Sequence, residues 1–254
     1  EAALPVQVLK ADDLAKAGFS VMDNLKVRTE DFSRALDIMA TAGNAGSFEL
    51  KDMAAEFPAI TAAAQALGMK GTTAVARLSA ALQIARKGAS SGSEAATNVA
   101  NLMQKIISPE TTKKFKKVGI DIRKELKKVQ KEGGDPFLMI AEQLQKATKG
   151  DLSLIGDFFQ DAEVQKFLRP LIQNLDEYKK IFGDANTANG TVDKDYKNRM
   201  ETFQSRLERL MNSLDTLGIK ITEALMPYLG AIADKLAPMA NYLGEVVGKY
   251  PEYV

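Results

Sequence analysis

The chain has 254 residues, 45% of them hydrophobic and 26% charged, with a formal net charge of +1. That is enough chain to bury a core, and too little net charge for a general attraction to nucleic acid or acidic membranes. Cysteine and histidine are both absent, which removes disulfides, Cys/His zinc sites, thiol nucleophiles and Ser-His-Asp triads together.

Tryptophan is missing and aromatics make up only 7%, a composition that favours closely packed helices over sheets. The opening EAALPVQVLKADD lacks the basic start and apolar stretch of a secretory signal. No apolar run approaches the roughly 18 residues of a membrane span. Without an initiator Met, the chain reads as a piece of a longer one.

In chain order, nearly every segment has helical spacing. RTEDFSRALDIMATAGN offers Thr29 as N-cap, Glu30 and Asp31 in the first turn, and Gly43 beyond the end. Phe32, Ala35, Leu36 and Met39 share one face. FELKDMAAEFPAITAAAQALG carries Leu50, Met53, Phe57 and Ile60 inward; a bend or break is expected at Pro58 and a stop at Gly68. GTTAVARLSAALQIARKG takes Thr72 as cap, with Val75, Leu78, Leu82 and Ile84 as core candidates.

The Gly- and Ser-containing stretch ARKGASSGSEAATNV (85–99) could be a phosphate-cradling loop or a turn between helices. A Walker loop places Lys and Ser/Thr directly after its last Gly and follows a strand. Here Arg86 and Lys87 precede the glycines, and a helix precedes them. Ser91 and Glu94 have capping-box spacing, and Gly88 stands where a helix would end in the left-handed region. The stretch is a turn.

SPETTKKFKKVGI opens with Ser108 as cap, Pro109 at the first helical position and Glu110 in the first turn. Residues 105–131 hold ten Lys/Arg against three Asp/Glu. The basic positions Lys113, Lys114, Lys116, Lys117, Arg123, Lys124, Lys127 and Lys128 accompany Phe115, Val118, Ile122, Leu126 and Val129 at helical spacing. The plain reading is an amphipathic helix pair with a solvated lysine face. The functional one is a contact patch for DNA phosphates, an acidic protein wall or a membrane surface. DPFLMIAEQLQKATKG repeats the cap-then-proline start at Asp135 and Pro136, and shorter helices are expected over 151–183. In DANTANGTVDKD (184–195), a calcium loop would need Gly at position six and an oxygen ligand at position five. The chain has Asn189 and Ala188 there, so the stretch reads as a polar linker.

From Tyr196 the pattern changes. Tyr196, Met200, Phe203, Leu207, Leu210, Leu214, Leu217 and Ile221 are spaced 4-3-4-3-4-3-4, the heptad seam of a coiled coil. Leu225 and Leu229 slip the rhythm, which resumes through Ile232, Leu236, Met239, Leu243, Val246 and Tyr250. Pro227 and Pro238 each remove a helix hydrogen bond, so a long helix bent near the prolines is expected. Such a stripe must be covered by another copy or by its own domain. The irregular upper seam of Tyr196, Met200 and Phe203 favours a trimer or higher assembly over a dimer.

The order of these elements resembles the shared core of tail tape measure proteins from tailed phages and phage-like particles. The resemblance rests on Ala66-Leu67-Gly68 ending a helix, an alanine-rich helix running to the turn Gly92-Ser93-Glu94-Ala95, then Pro109 and the pair Gly119-Ile120. LGIKITEALMPYLGAIADKLAPMANYL (217–243) is similar to the helical region that follows such cores. The chain departs from the family's frequent Gly-Thr-Ala-Leu-Arg after the turn, reading Ala96-Thr97-Asn98-Val99-Ala100. The resemblance covers residues 25–125 well and the last sixty more loosely.

The expected fold is all-α: a helical core over 1–134, a helical connector with polar linker over 135–191, and a long coiled-coil-like amphipathic helix over 192–254. The resemblance implies a structural, non-enzymatic role in tail-length determination and tail assembly, inside the tube lumen of the virion tail, after synthesis in the host cytoplasm. It implies tail tube and tail tip proteins and assembly chaperones as partners, with transient contact with DNA or host membrane during genome ejection. No catalytic residue, metal, cofactor or small-molecule substrate is assigned. Three rivals remain open: a membrane-active or pore-forming helical protein, an enzyme with an unrecognised carboxylate site, and a generic helical adaptor.

Overall fold

The computed structural model describes residues 11–216, with side chains of Ala11, Arg199 and 211–216 outside the description. Among the described residues the chain is helical and contains no strand. It falls into two compact units, one ending at Thr191 and one beginning at Val192.

In the first unit, α1 (Ala11–Leu25), α3 (Leu50–Ala66), α5 (Gly92–Lys105) and α10 (Ala162–Gln173) pack as successive neighbours. Against that row lie α2 (Phe32–Asn44), α4 (Gly71–Arg86) and α11 (Leu175–Asn186), with α4 touching α2 and α11 on its own side and α5, α10 and α1 across. Such a central helix must be apolar all round. Ala74, Val75, Ala76, Leu78, Ala80, Ala81, Leu82, Ile84 and Ala85 of α4 are all completely buried. Alanine at so many of these positions lets neighbouring backbones approach while adding the best helix former. One continuous apolar cluster runs from Ala17 to Ala188, with no interruption at residue 134.

Several start and stop signals act differently from the expectation. The helix at 29 begins three residues later, because Arg28 pairs with Asp31 at 2.8 Å and the chain first makes a 3₁₀ turn over Thr29–Asp31. Thr29 therefore caps nothing, and Gly43 lies inside α2 rather than beyond it. A side chain at Gly43 would press on the Leu50 amide, 3.1 Å from an added Cβ. Thr72 is likewise not a cap: Lys70 holds that position without a side-chain bond, and Gly71 opens α4 at φ +73°.

Pro58 sits inside a continuous α3 rather than breaking it. A proline in a helix interior costs about 3 kcal/mol. Met53, Phe57 and Ile60 on the same helix are fully buried, and each contributes roughly 1.5–3 kcal/mol. Burial wins, and α3 continues until Gly68 at φ +69° stops it.

The turn at 88–91 holds one correction and one partial match. Gly88 does not adopt a left-handed conformation. It is small because α10 passes over it, with the Lys166 carbonyl 2.3 Å from where a Cβ would stand. Ser91 caps α5 by accepting from the Glu94 amide at 3.1 Å. The Glu94 carboxylate reaches past Ser91 to the amide and hydroxyl of Ser90, at 2.7 and 2.6 Å.

Beyond α5, α6 (Pro109–Lys117), α7 (Ile122–Glu132), α8 (Pro136–Thr148) and α9 (Ile155–Phe158) form a corner around a phenylalanine cluster. Phe115 meets Phe158 with the rings tilted by 45° and their centroids 4.8 Å apart, and Phe137 meets Phe167 edge-on at 5.8 Å. Ser108 and Asp135 cap α6 and α8 as their cap-then-proline signals predict. Val118 departs from the expected apolar face. It lies at the end of α6, where Gly119 turns the chain at φ +81°, and it is 48% exposed.

The polar stretch 184–195 is mostly helical. α11 runs to Asn186, and α12 (Thr191–Thr216) starts after a short turn.

Candidate functional site

The second unit contributes an exposed apolar stripe. On α12, Tyr196, Met200, Phe203, Leu207 and Leu210 each keep between 40% and 53% of their surface accessible. At heptad spacing they fall on one face of the helix. Lys197, Glu201, Arg206, Glu208 and Arg209 occupy positions off that face. Leu214 is placed on α12 by its backbone. Leu217, Ile221, Leu225, Leu229, Ile232, Leu236, Met239 and Leu243, with the bend at Pro227 and Pro238, lie outside the described residues.

The first unit carries the basic surface. Lys113, Lys116 and Lys117 of α6 and Arg123, Lys124, Lys127 and Lys128 of α7 are exposed, while Lys114 is half-buried and pairs with Glu110 at 3.0 Å. The order on α7 comes from its period: Ile122 and Leu126 point into the core, so residues one, two, five and six positions after Ile122 fall on the opposite side. Arg123 also bonds the Ile107 carbonyl at 3.0 Å, fixing the corner at one end. Lys131, nine residues after Ile122 and also exposed, extends the same face. The like-charged pairs Arg123/Lys127, Lys124/Lys128 and Lys127/Lys131 stand four apart, each opposing the helix by about 0.2–0.5 kcal/mol.

A third group is a buried polar knot that the sequence did not reveal beyond Asp135's role as a cap. Asp135 accepts from the amides of Phe137 and Leu138 and from the Tyr178 hydroxyl at 2.8 Å. Arg77 of α4 approaches the same carboxylate at 3.6 Å, donates to the Gly133 carbonyl at 2.7 Å and lies over the Phe182 ring. Burial pushes the Asp135 carboxyl above its ordinary range, against the lowering pull of Tyr178, Arg77 and the two amides. Burial also drives the Tyr178 hydroxyl well above its usual value, reinforced by Asp135. This knot ties α4, α8 and α11 together across long sequence separations. Tyr178 is fully buried, while the side chains of Arg77 and Asp135 keep 13% and 7% of their surface accessible.

A further polar cluster joins α5 to α10. Lys166 meets Glu94 at 2.6 Å, and Asn101 bonds Glu163. Hydrogen bonds from Lys166 and Ser90 hold the Glu94 carboxyl down at about 2. At the end of the first unit, Asp37 accepts the Gly190 amide at 2.7 Å and Thr41 meets Thr191 at 2.7 Å, fixing the turn that leads into α12. An open groove lies between α1 and α3 beside Phe19 and Pro58. Among the described residues, no group of three or more His, Cys, Asp or Glu side chains is arranged to hold a metal. No described helix is long and apolar enough to cross a membrane.

The family described as phage-related minor tail protein matches residues 6–218. A probable tape measure protein of Burkholderia phage BcepMu is 30% identical over 273 aligned residues, covering 94% of this chain and 32% of that protein. The chain thus spans about a third of that relative's length. No solved structure gives a significant match.

Proposed function

The chain belongs to the phage minor tail protein family, and from that premise we propose that it is a segment of a tape measure protein acting in tail-length determination and tail assembly within the tail tube. Its work is mechanical. Helical length and lateral contact carry it, with no bound substrate and no turnover. The compact helical unit supplies a folded body, and the amphipathic helix from residue 192 supplies the part that bundles.

The observation that carries this reading is the stripe from Tyr196 to Leu210, five large apolar side chains held exposed at heptad spacing. These side chains are about half exposed, so covering the rest of each stabilises by roughly 0.7–1.5 kcal/mol, and a row of them drives association with a like stripe. Copies of the chain are the fitting partners, as a trimer or larger bundle. Tail tube and tip proteins and assembly chaperones complete the partner set.

The length role is tested in the parent phage. In-frame removal of residues 192–216 takes out a helical length of about 38 Å at 1.5 Å per residue. Electron microscopy should show tails shortened by about that amount, in whole tube rings. Tails of unchanged length would overturn the tape measure reading.

A further inference from the structure

We infer that the outer face of α7 is a docking surface for the phosphate backbone of duplex nucleic acid, bound without regard to sequence. Five exposed cations, Arg123, Lys124, Lys127, Lys128 and Lys131, occupy one side of this helix. Ile122 and Leu126 on the other side are buried in the core. Among the described residues none of the five forms an ion pair with a carboxylate. Three like-charged pairs four apart resist the helix, and among the described residues no ion pair relieves them. A polyanion would.

The chemistry of the face selects among polyanions. A helix that binds a lipid surface inserts its apolar side among the acyl chains. The apolar side of α7 is already committed to the protein core, and its outer side carries nothing apolar to insert. Single-stranded nucleic acid calls for aromatic platforms on which bases stack, and α7 has no aromatic residue. Four of the five cations are lysines, compact point charges suited to phosphates rather than to the bidentate reading of base edges. What fits is a charged rod met from the side, by contacts that position without specifying.

The test uses the whole 254-residue chain and a mixed-sequence DNA duplex of roughly 25 base pairs, long enough to exceed the roughly 16 Å length of α7. Five phosphate contacts give a slope of log affinity on log salt of about −4.5, a loss of roughly 500-fold between 50 and 200 mM salt. The double variant Lys124→Glu/Lys128→Glu should bind at least tenfold more weakly at 100 mM salt, with a loss of roughly 40-fold across the same salt range. Lys179→Glu/Lys180→Glu, the same charge change on the exposed side of α11, should leave binding within about twofold, since these lysines stand on another helix, outside the α7 face, and act only through salt-screened attraction. Far-UV circular dichroism checks that each variant is folded, and Lys124→Gln/Lys128→Gln replaces the reversal if it is not. Equal losses in the α7 and α11 variants, no binding at 50 mM salt, or binding to phosphatidylserine vesicles without binding to the duplex would overturn the assignment.

Discussion

Helices α4 and α12 are both built from good helix formers, yet they meet solvent in opposite ways. α4 is mostly apolar or small from Ala74 to Ala85, with Arg77 and Gln83 as its large polar side chains, and is buried by helices on several sides. α12 concentrates its large side chains on one stripe, surrounds them with charge, and leaves Tyr196 to Leu210 exposed. Near α4 the chain satisfies its apolar surface internally; along α12 it does not. The distribution of apolar residues around the helix therefore separates a helix that completes a core from one that calls for an outside partner.

The contrast can be broken most forcefully at the core. Phe57→Ala removes a completely buried ring next to Pro58 and should cost about 3–5 kcal/mol, read by urea denaturation. A cost under 1 kcal/mol would mean that the first unit is not the tightly packed body described above. Gly88→Ala should follow at about 1–3 kcal/mol, because the new Cβ meets the Lys166 carbonyl and one backbone must move. A stabilising Gly88→Ala would show that the residue serves only as a helix end.

Tyr178→Phe deletes one hydroxyl that donates to a buried carboxylate and should cost about 1–3 kcal/mol in the same measurement. If it proves neutral, the knot around Asp135 is not what joins α4, α8 and α11. The smallest effect concerns acid. The Glu94 carboxyl is held at about 2 by Lys166 and Ser90, below its value in an unfolded chain. The stabilisation it gives is complete above the unfolded value and is lost as pH falls from about 4.5 toward 2. Glu94→Gln should remove that portion of the acid sensitivity, seen as a flatter slope of melting temperature against pH over this range. An unchanged slope would refute it.

Local signals were readable wherever chemistry and geometry are set by neighbours in sequence. Ser91, Ser108 and Asp135 cap the helices that follow them, and Val75, Leu78, Leu82 and Ile84 are buried as their spacing requires. Misreadings arose where a distant segment decides. Gly88 is small for the sake of α10, nearly eighty residues on, and Pro58 is tolerated because α1 and α5 hold α3 from both sides. Thr29 and Thr72 were given caps on residue type alone, while Arg28 with Asp31 and Gly71 set the true starts.

The knot of Arg77, Asp135 and Tyr178 could not be read from spacing, since its members stand 58 and 43 residues apart. Asn98 was a related omission. It falls on the inner face of α5 among Ala95, Val99 and Leu102, is fully buried, and finds no protein hydrogen-bond partner for its side chain. The helical period placed it inward, but its polarity hid that. For the basic surface, the helical period sets the α7 lysines opposite Ile122 and Leu126, which are buried.

The claim on which the mechanical account rests is that the α12 stripe is covered by other copies of the chain. Equilibrium sedimentation of the intact 254-residue chain, set beside a variant carrying Met200→Ser, Phe203→Ser and Leu207→Ser, tests it directly. The account predicts a species of three or more copies for the natural sequence and a folded monomer for the variant, with stability of the first unit unchanged within about 0.5 kcal/mol. A natural chain that stays monomeric at concentrations of hundreds of micromolar, or a variant that assembles equally well, would contradict it.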